Sequence, residues 1–438
     1  MSNFQITILS VFGFFTVLAV LIFSGVIKLG SSSTTAALSG PLVIWGTIPA
    51  TDMSALIGPI NDQNKGLEIS YVRKNPATFD MELVEALATG TGPDLFFLPT
   101  DAILKNKNKV FPIPYTSLTK QTFESTFVTQ ATLYLDESGV LALPFSLDPL
   151  VLYYNPGMFD AAGIAKVPEY WDEILVSAPR LTARNTSGAI ARSAIAMGEY
   201  VNIPNAKDIL AMLVMQPGGQ FVARDQEGKY FSIMRQQVPG SVINPAEEAL
   251  RFYTEFANPL KTAYSWNKSL PSAQDAFVSG TTAMYIGYAS ELFTIRERNP
   301  NLNFNVASVP QIRGAATKLT FGKMYGLAIS KSSKNLATAA SVAGIMTGKD
   351  ASKIIMTALS LAPVRRDVIV DGLVDTDPPY MKVFYDAALV SRGWLDPDTT
   401  ATDVIFRNMV TAALSGAQTP GSALSTANDE LDFLLQKI

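Results

Sequence analysis

The sequence predicts an α/β fold, and three observations lead to that prediction. Residues 41–99 alternate apolar strands with helical segments, and a second series of strands and helices follows between residues 143 and 332. Hydrophobic residues make up 48% of the chain and charged residues 16%, which suits a large buried core. At roughly 100–200 residues per domain, 438 residues allow two or three domains.

The first series reads as a parallel sheet. The predicted strands are residues 41–46, 67–73 and 93–99. Between them we expect one helix that runs to Ile60 and is interrupted by Pro59, and a second helix that ends at Gly90. Strand-helix-strand order implies right-handed crossovers, and ligands of such sheets bind beyond the carboxyl ends of the strands. The residues expected there are Thr47, Asn75, Thr100 and Asp101.

The second series has the same character. The predicted helices are residues 168–181, 204–216, 244–256 and 290–299, and the predicted strands are residues 281–288, 304–310 and 324–330. Asn244 followed by Pro245 and two glutamates is typical of a capped helix start. From Ser333 onward the chain is predicted to be helical.

The amino-terminal segment predicts a membrane anchor. Residues 6–27 carry no charged side chain, and at about 1.5 Å per residue such a run can cross a hydrocarbon core of about 30 Å. The preceding residues MSNFQ lack the basic side chain that is usual in a cleaved signal peptide. We therefore expect residues 1–30 to be an uncleaved transmembrane helix and residues 31–40 to be a flexible tether.

Composition excludes several classes of function. The chain has no histidine and no cysteine, so it can form neither a Ser-His-Asp triad nor a disulfide nor a zinc site with those ligands. A formal net charge of −4 gives no reason to expect nucleic-acid binding. No cofactor and no metal is predicted.

Six motifs in order resemble a known family. They are GPDLFFLPTDAI, LPFSLDPLVLYYNPGMFDAAGI, VPEYWDEILVSAPRLT, DAFVSGTTAMYIGYASELFTI, YGLAISKSSKN and LAPVRRDV. Together they are similar to the extracellular solute-binding proteins of ABC importers, in the branch that includes the maltose-binding protein. The resemblance covers nearly all of residues 41–438.

The resemblance implies a two-lobe, type II periplasmic-binding-protein-like fold with a ligand cleft between the lobes and three interlobe crossings. The amino-terminal lobe would comprise residues 41–145 and 328–363, and the other lobe residues 146–327 and 364–438. It also implies a monomeric, non-enzymatic protein on the extracytoplasmic side of the cell membrane, to which the predicted helix of residues 1–30 would anchor it. Such a protein captures a small polar solute, with carbohydrate as the first choice, by cleft closure and delivers it to an ABC transporter permease.

The resemblance also indicates site residues, each with a plainer alternative. Asp148, beside Pro149 in an otherwise apolar strand, matches an acidic ligand contact, or it forms a hinge salt bridge with Arg365 or Arg366. Asp101 matches an acid in a ligand loop, or it caps a turn. Glu199 and Tyr200 match a further ligand loop, although a solvated loop acid is the alternative.

Aromatic side chains in loops are candidates for stacking on a sugar ring. They are Tyr288, Trp266 and Trp394, and the alternative for each is packing in the core. The chain departs from the maltose-type pattern at Ala102, where some sugar binders have arginine, and at Ser290, where a tryptophan is common. These departures leave other small polar solutes open.

Two other functions remain open at this stage. A membrane-anchored glycoside hydrolase would use two carboxylates from the set Asp101, Asp148, Glu199 and Glu291, at spacings that a sequence cannot measure. A surface sensor or adhesin on the same fold would bind without a permease. The ordered motifs favour solute binding over both.

Overall fold

The structure is a computed structural model that describes residues 38–238, 243–315, 317–359, 361–372 and 378–438. The predicted anchor, residues 1–30, lies outside the described residues, as does most of the predicted tether. Among the helices of the described part, none is both long enough and apolar enough to cross a bilayer.

The first segment contains strands and helices in alternation. They are β1 (Ser39–Gly46), α1 (Ala50–Gln63), β2 (Gly66–Arg73), α2 (Phe79–Thr89), β3 (Leu95–Pro99), α3 (Ile103–Asn106), α4 (Lys120–Thr126), β4 (Leu135–Asp136) and β5 (Gly139–Val140). The long strand β6 (Leu143–Tyr154) follows.

The middle segment continues the alternation. Its elements are α5 (Pro156–Ala161), α6 (Trp171–Leu181), β7 (Ala183–Arg184), β8 (Ile190–Ile195), α7 (Ala206–Met215), β9 (Val222–Arg224), β10 (Tyr230–Ser232), α8 (Pro245–Glu255), α9 (Ala273–Val278), β11 (Thr282–Tyr288), α10 (Glu291–Arg298), β12 (Asn305–Ala307) and β13 (Thr320–Ile329).

The last segment is mainly helical, as predicted. It contains α11 (Leu336–Met346), α12 (Lys349–Leu359), α13 (Arg366–Asp371), α14 (Pro379–Val390), the short strand β14 (Ser391–Arg392), α15 (Thr399–Ser415) and α16 (Pro420–Leu435).

The chain forms two compact units. Within the described residues, unit 1 comprises residues 38–147 and 324–372, and unit 2 comprises residues 148–323 and 378–438, apart from the gaps given above. The strands β6 and β13 each contribute residues to both units. Asp148 is thus the first residue of unit 2 along the chain.

In unit 1 the core sheet is built on β1. This strand pairs in parallel with β2 on one side and with β3 on the other, and β13 adds to β3 in the antiparallel direction. The helix α1 runs through Pro59 to Gln63, so the predicted interruption is wrong. Pro59 removes one backbone donor, but the buried side chains of Leu56, Ile57 and Ile60 keep this face of the helix packed.

The first strand begins earlier than predicted. Ser39 and Gly40, which fall in the predicted tether, pair with Gly66 and Leu67 of β2 and belong to β1. Backbone pairing at these positions needs no apolar side chain, which is why the polar and small residues concealed it.

In unit 2 the sheet strands are arranged around β11. Strand β11 pairs antiparallel with β6 and parallel with β8, and β7 adds to the far side of β8. Along β6 the partner changes near Pro149: Leu147 pairs with Ala362 in unit 1, whereas Leu150 pairs with Tyr288 in unit 2. Because Pro149 has no N–H to give to a ladder, it suits a position at which one pairing stops and another starts.

Candidate functional site

Four of the predicted residues lie at one edge of the unit 1 sheet. Thr47 follows β1, Asn75 follows β2, and Thr100 and Asp101 follow β3. Because these strands are parallel, their carboxyl ends meet at the same edge. Unit 1 therefore brings the four residues to the edge at which open α/β sheets bind ligands.

The turn after β1 is tightly packed. A Cβ on Gly46 would lie 2.4 Å from the Phe97 ring and 2.7 Å from the Tyr71 hydroxyl, so only glycine fits there. The Tyr71 hydroxyl donates to the Ile48 carbonyl at 2.8 Å. These contacts fix the backbone on both sides of Thr47.

The turn after β2 is held by ionic and aromatic contacts. The Lys74 ammonium lies 3.7 Å from the centre of the Trp45 ring and 2.8 Å from a Glu82 carboxylate oxygen. The exposed Asn75 uses its side-chain oxygen to accept from the Ala77 N–H at 3.0 Å, so in this structure it shapes the turn.

The two residues after β3 differ in exposure. Thr100 is buried, with 4% of its surface accessible, whereas Asp101 is half-buried in the short 3₁₀ turn Thr100–Ala102. Burial first, and the Asp101 charge second, raise the pKa of the Tyr134 hydroxyl, which donates to the Leu98 carbonyl at 2.7 Å. Asp101 is thus the more accessible of the two residues.

In unit 2 the candidate edge is where β8 and β11 end. These two strands are parallel, so the loop after Ile195 and the turn after Tyr288 lie at the same edge. Asp148 precedes the antiparallel pairing of Leu150 with Tyr288 and therefore reaches this edge as well. The edge collects Asp148, Tyr288 and the loop that carries Glu199.

Among the described residues, Ser290 donates both hydrogen bonds that Asp148 accepts. The Ser290 backbone N–H donates to its Oδ1 at 3.0 Å, and the Ser290 hydroxyl donates to its Oδ2 at 2.6 Å. The arginines proposed as hinge partners are engaged within unit 1: Arg365 pairs with Asp367 at 2.8 Å, and Arg366 donates to the Phe127 carbonyl at 2.7 Å. Ser290, which sequence reasoning noted only as a missing tryptophan, is the partner of the acid.

The environment of Asp148 disfavours its charge. Burial raises the pKa of Asp148 to about 6 from its ordinary 3.8, and the nearby Glu291 charge adds to the increase. The hydrogen bonds from Ser290 and the positive charge of Lys323 act in the opposite direction. A carboxylate that is short of compensating charge is typical of a functional site.

Two further residues at this edge were missed from the sequence. The Tyr288 hydroxyl donates to a carboxylate oxygen of Asp208 at 2.6 Å, and the Lys323 ammonium lies 3.4 Å from the same oxygen. The ammonium also lies 4.6 Å from the centre of the Tyr288 ring. Tyr288 is only 6% exposed, so its ring is covered partly by Lys323 and does not form an open stacking platform.

Close packing and hydrogen bonds determine the backbone conformation of the loop after β8. Gly198 has φ of +103°, and a Cβ there would lie 2.5 Å from the Ala257 nitrogen. The Tyr253 hydroxyl donates to the Glu199 carbonyl at 2.6 Å, and the Asn202 amide donates to the carbonyls of Asn267 and Leu270 at 3.0 Å. A rigid loop of this kind presents the Glu199 side chain at a fixed place.

Glu199 and Tyr200 have different surroundings in this loop. Glu199 is half-buried, and burial raises the pKa of its carboxyl group. The Tyr200 side chain is buried, and its hydroxyl donates to Asp403 at 2.6 Å. Of the two residues, Glu199 is the more accessible to a solute.

The predicted tryptophans lie in the core of unit 2. Trp266 is fully buried, and its indole N–H donates to the Asn202 side chain at 3.0 Å. Trp394 is 7% exposed and packs on Phe221, with ring centres 4.7 Å apart, and on Phe406. Neither ring offers a free face in this structure, so both act as packing residues here.

A separate cavity of about 450 Å³ opens in unit 2 among Leu150, Tyr170, Gln311, Lys318 and Val390. None of the predicted site residues lines it. The hydrogen-bonding groups gathered at the sheet edge, not this cavity, define the candidate site.

Each unit has polar side chains where parallel strands end, which is the place at which open α/β sheets bind ligands. The profile of the bacterial extracellular solute-binding protein family matches residues 49–353, which is well over half of the chain. The chain therefore belongs to the bacterial extracellular solute-binding proteins. This family places the binding region on the extracytoplasmic side.

A sequence relative and two solved structures that are similar to this chain agree with this family assignment. A protein of Brucella abortus (strain 2308) described as a binding protein is 22% identical over 294 residues, and the match spans 66% of this chain and 66% of that relative's own length. The GacH receptor of Streptomyces glaucescens is 19% identical and superposes with a TM-score of 0.69 over 91% of this chain and 99% of that one. The cyclic α-maltosyl-1,6-maltose-binding protein of Arthrobacter globiformis gives 14% identity and a TM-score of 0.74 over 91% and 100%.

At these identities the solved structures show the fold. The resemblance to maltose-binding-protein-like proteins and the predicted solute-binding-protein fold are confirmed. The homologues are binding proteins and not enzymes, so the prediction of binding without catalysis is confirmed, and the glycoside hydrolase alternative has no support.

The raised pKa of Asp148 predicts a pH dependence of stability. The folded state binds this proton more tightly than the unfolded chain, so the stability that Asp148 contributes is present below about pH 4 and is lost as the pH rises through about 6. Over that window the free energy of unfolding of the wild type relative to Asp148→Asn should fall by on the order of 2 kcal/mol. Urea unfolding without solute at pH 4.5, 5.5 and 7 measures it.

Asp160→Asn is the matched control, because Asp160 is an exposed acid of the same unit. Its unfolding free energy should run parallel to that of the wild type. A wild-type curve that also stays parallel to that of Asp148→Asn would show that Asp148 ionises normally in the folded protein.

Proposed function

We propose that this chain is a membrane-anchored extracellular solute-binding protein that captures a carbohydrate and passes it to an ABC transporter permease. Closure of the two units on the solute and action as a monomer belong to the same proposal. The proposed contacts are Asp148 and Glu199 in unit 2 and Thr47, Asn75 and Asp101 in unit 1. The other sequence-predicted residues are buried and would act indirectly, by supporting the fold around these contacts: Thr100, Tyr200, Trp266, Tyr288 and Trp394.

Asp148 carries this proposal. A carboxylate offers about four lone-pair sites, and Ser290 uses two of them in the bonds described above. The remaining acceptor capacity suits adjacent hydroxyl groups, which a sugar presents in pairs. Burial of the carboxylate makes each such bond stronger than it would be in water.

The charges at the unit 2 edge disfavour an anionic solute. At the unit 2 edge, Asp148 and Asp208 face the partly exposed Lys323, whose side chain is 40% accessible. One cation between two carboxylates opposes an anionic ligand, whereas neutral hydroxyl groups can both accept from the ammonium and donate to the acids. The charges alone also admit a cationic solute, and the match of paired hydroxyl groups to the acceptor sites of Asp148 is what favours a sugar.

The solved neighbours support the same class. The GacH receptor was solved with acarbose, and a further neighbour of 17% identity and TM-score 0.73 is a cyclo/maltodextrin-binding protein in complex with maltotetraose. Both ligands are carbohydrates of more than one ring. We therefore place oligosaccharides before single sugars as the solute.

Solute binding should raise the stability of the full-length protein. A ligand that binds only the native state adds about 2.7 kcal/mol at a hundredfold excess over its Kd, which is a shift of several degrees in Tm. We expect this shift with at least one of maltose, maltotriose or β-cyclodextrin, and none with glucuronate, glutamate or putrescine. Mass spectrometry should recover the sugar unchanged.

The variants locate the site. Asp148→Ala should weaken binding by roughly tenfold to a hundredfold, because a charge-assisted hydrogen bond is worth about 1.5–3 kcal/mol. Asp160→Asn should bind as the wild type does. A shift with glutamate or putrescine and none with any sugar would contradict the carbohydrate proposal.

The proposed anchor has its own test. Because residues 6–27 are uncharged and apolar, the full chain should sediment with membranes and resist extraction with high salt or carbonate. A chain that begins at Leu38 should remain in the soluble fraction and bind the same solute. Recovery of the full chain in the soluble fraction with residues 1–37 still attached would contradict the anchor.

A further inference from the structure

Glu291, the first residue of α10, gathers four hydrogen bonds on its carboxylate. Its Oε1 accepts from the Tyr288 N–H at 2.9 Å and from the Asn205 amide at 3.1 Å, and its Oε2 accepts from the Tyr285 hydroxyl at 2.6 Å and the Gln274 amide at 2.7 Å. No ion pair of the described residues involves it. Neutral donors from three separate parts of unit 2 therefore converge on one carboxylate.

The end of β11 is shaped around this carboxylate. A Cβ on Gly287 would lie 2.5 Å from the Tyr285 ring and 3.1 Å from Glu291 Oε2. Only glycine lets the carboxylate approach the strand so closely. The absence of a side chain at Gly287 therefore leaves space for the Glu291 carboxylate beside β11.

Ser290, next to Glu291, does not do what serine usually does at the start of a helix. It occupies the N-cap position of α10, where a serine hydroxyl normally accepts from a backbone N–H of the first turn, yet it makes no such bond. Its hydroxyl donates to Asp148 instead. The Ser290 hydroxyl therefore stabilises the Asp148 carboxylate and not the start of α10. Another group must hold the turn of residues 288–290 in place.

We propose that Glu291 is a positioning residue for the solute site, which holds residues 288–290 so that Ser290 grips Asp148 and Tyr288 stays at the sheet edge. The importance of this role for solute binding rests on the proposed function. Glu291 itself uses its acceptor capacity within unit 2 and does not contact the solute. The Glu291 carboxylate, a candidate catalytic acid under the hydrolase alternative, thus holds the turn of residues 288–290 in place.

Two variants that each remove one negative charge from α10 separate this role from a general effect of charge. Glu291→Gln keeps the length of the side chain but turns one acceptor oxygen into an amide donor that faces other donors. Glu297→Gln makes the same change on the exposed side of the same helix. Only the first should disturb the turn.

The first experiment needs no solute. Because the Ser290 N–H donates to Asp148 Oδ1, the amide shift of Ser290 in full-length protein should titrate with Asp148, with a midpoint near 6. Loss of the Glu291 charge by itself lowers the pKa of Asp148, so a lower midpoint alone does not report on positioning. The positioning role predicts that Glu291→Gln abolishes the response of the Ser290 amide, whereas Glu297→Gln leaves it unchanged. A Ser290 amide that still titrates with Asp148 in Glu291→Gln, at the same or a lower midpoint, would overturn the proposal.

The second experiment is a double-mutant cycle with maltotriose as the probe. If Glu291 acts through Asp148, Glu291→Gln should weaken binding about tenfold in the wild type and less than about threefold in the Asp148→Asn background. A merely structural role would give equal losses in both backgrounds, and that result would overturn the proposal. If the wild type binds maltose or β-cyclodextrin but no maltotriose, the sugar that binds replaces maltotriose as the probe. If it binds none of the three, this finding counts against the proposed function, and the Ser290 titration alone decides the role of Glu291.

Gln274→Ala covers the case in which Glu291→Gln fails to fold, as judged by circular dichroism. It removes one donor and leaves the carboxylate charged. The expected loss of maltotriose affinity is about threefold in the wild type and absent with Asp148→Asn, since one neutral hydrogen bond is worth about this factor. Equal losses in the two backgrounds, together with an unaltered Ser290 titration, would again reject the positioning role.

Discussion

The hydrogen-bonded pair of Asp148 and Ser290 is the interaction on which the candidate site of unit 2 depends. It joins the first residue of this unit to the turn between β11 and α10, at distances of 3.0 and 2.6 Å. The pair continues, with side-chain and backbone groups, a ladder that Pro149 cannot complete.

Both hydrogen bonds to the Asp148 carboxylate come from neutral groups of Ser290, although a cation would stabilise the carboxylate more. Lys323 contributes only through its field, and burial leaves the carboxyl group with a pKa of about 6. Sites that bind ligands commonly keep groups in such an unfavourable state because the ligand supplies the missing interactions. The incomplete compensation of Asp148 is therefore consistent with a place kept for a solute and explains why a polar group stands in an otherwise apolar strand.

The sequence predicts the local features well, because each depends on neighbours along the chain. Gly90 ends α2 with a φ of +72°, and the Asn244 side chain caps α8 by accepting from the Glu247 N–H, as the residue types indicate. The edge positions of Thr47 and Asp101 follow from the order of strands alone. Apolar strands and polar residues after them are enough to predict an edge.

The remainder could not be predicted, because it depends on contacts between distant parts of the chain. Ser290 and Asp148 are 142 residues apart, and no local pattern links them. Trp266 and Trp394 lie outside periodic helices, which suggested exposure, yet tertiary packing buries both. The role of Lys323 also depends on a meeting of three elements, so its residue type alone gave no signal.

Native mass spectrometry of the full-length protein purified from cells tests the central claim most directly, because it identifies the solute that the protein itself retains. We predict a non-covalent adduct whose mass is that of an intact oligosaccharide on the wild type and on Asp160→Asn, and its loss from Asp148→Ala. An adduct of another chemical class, or an oligosaccharide retained equally by Asp148→Ala, would contradict the account.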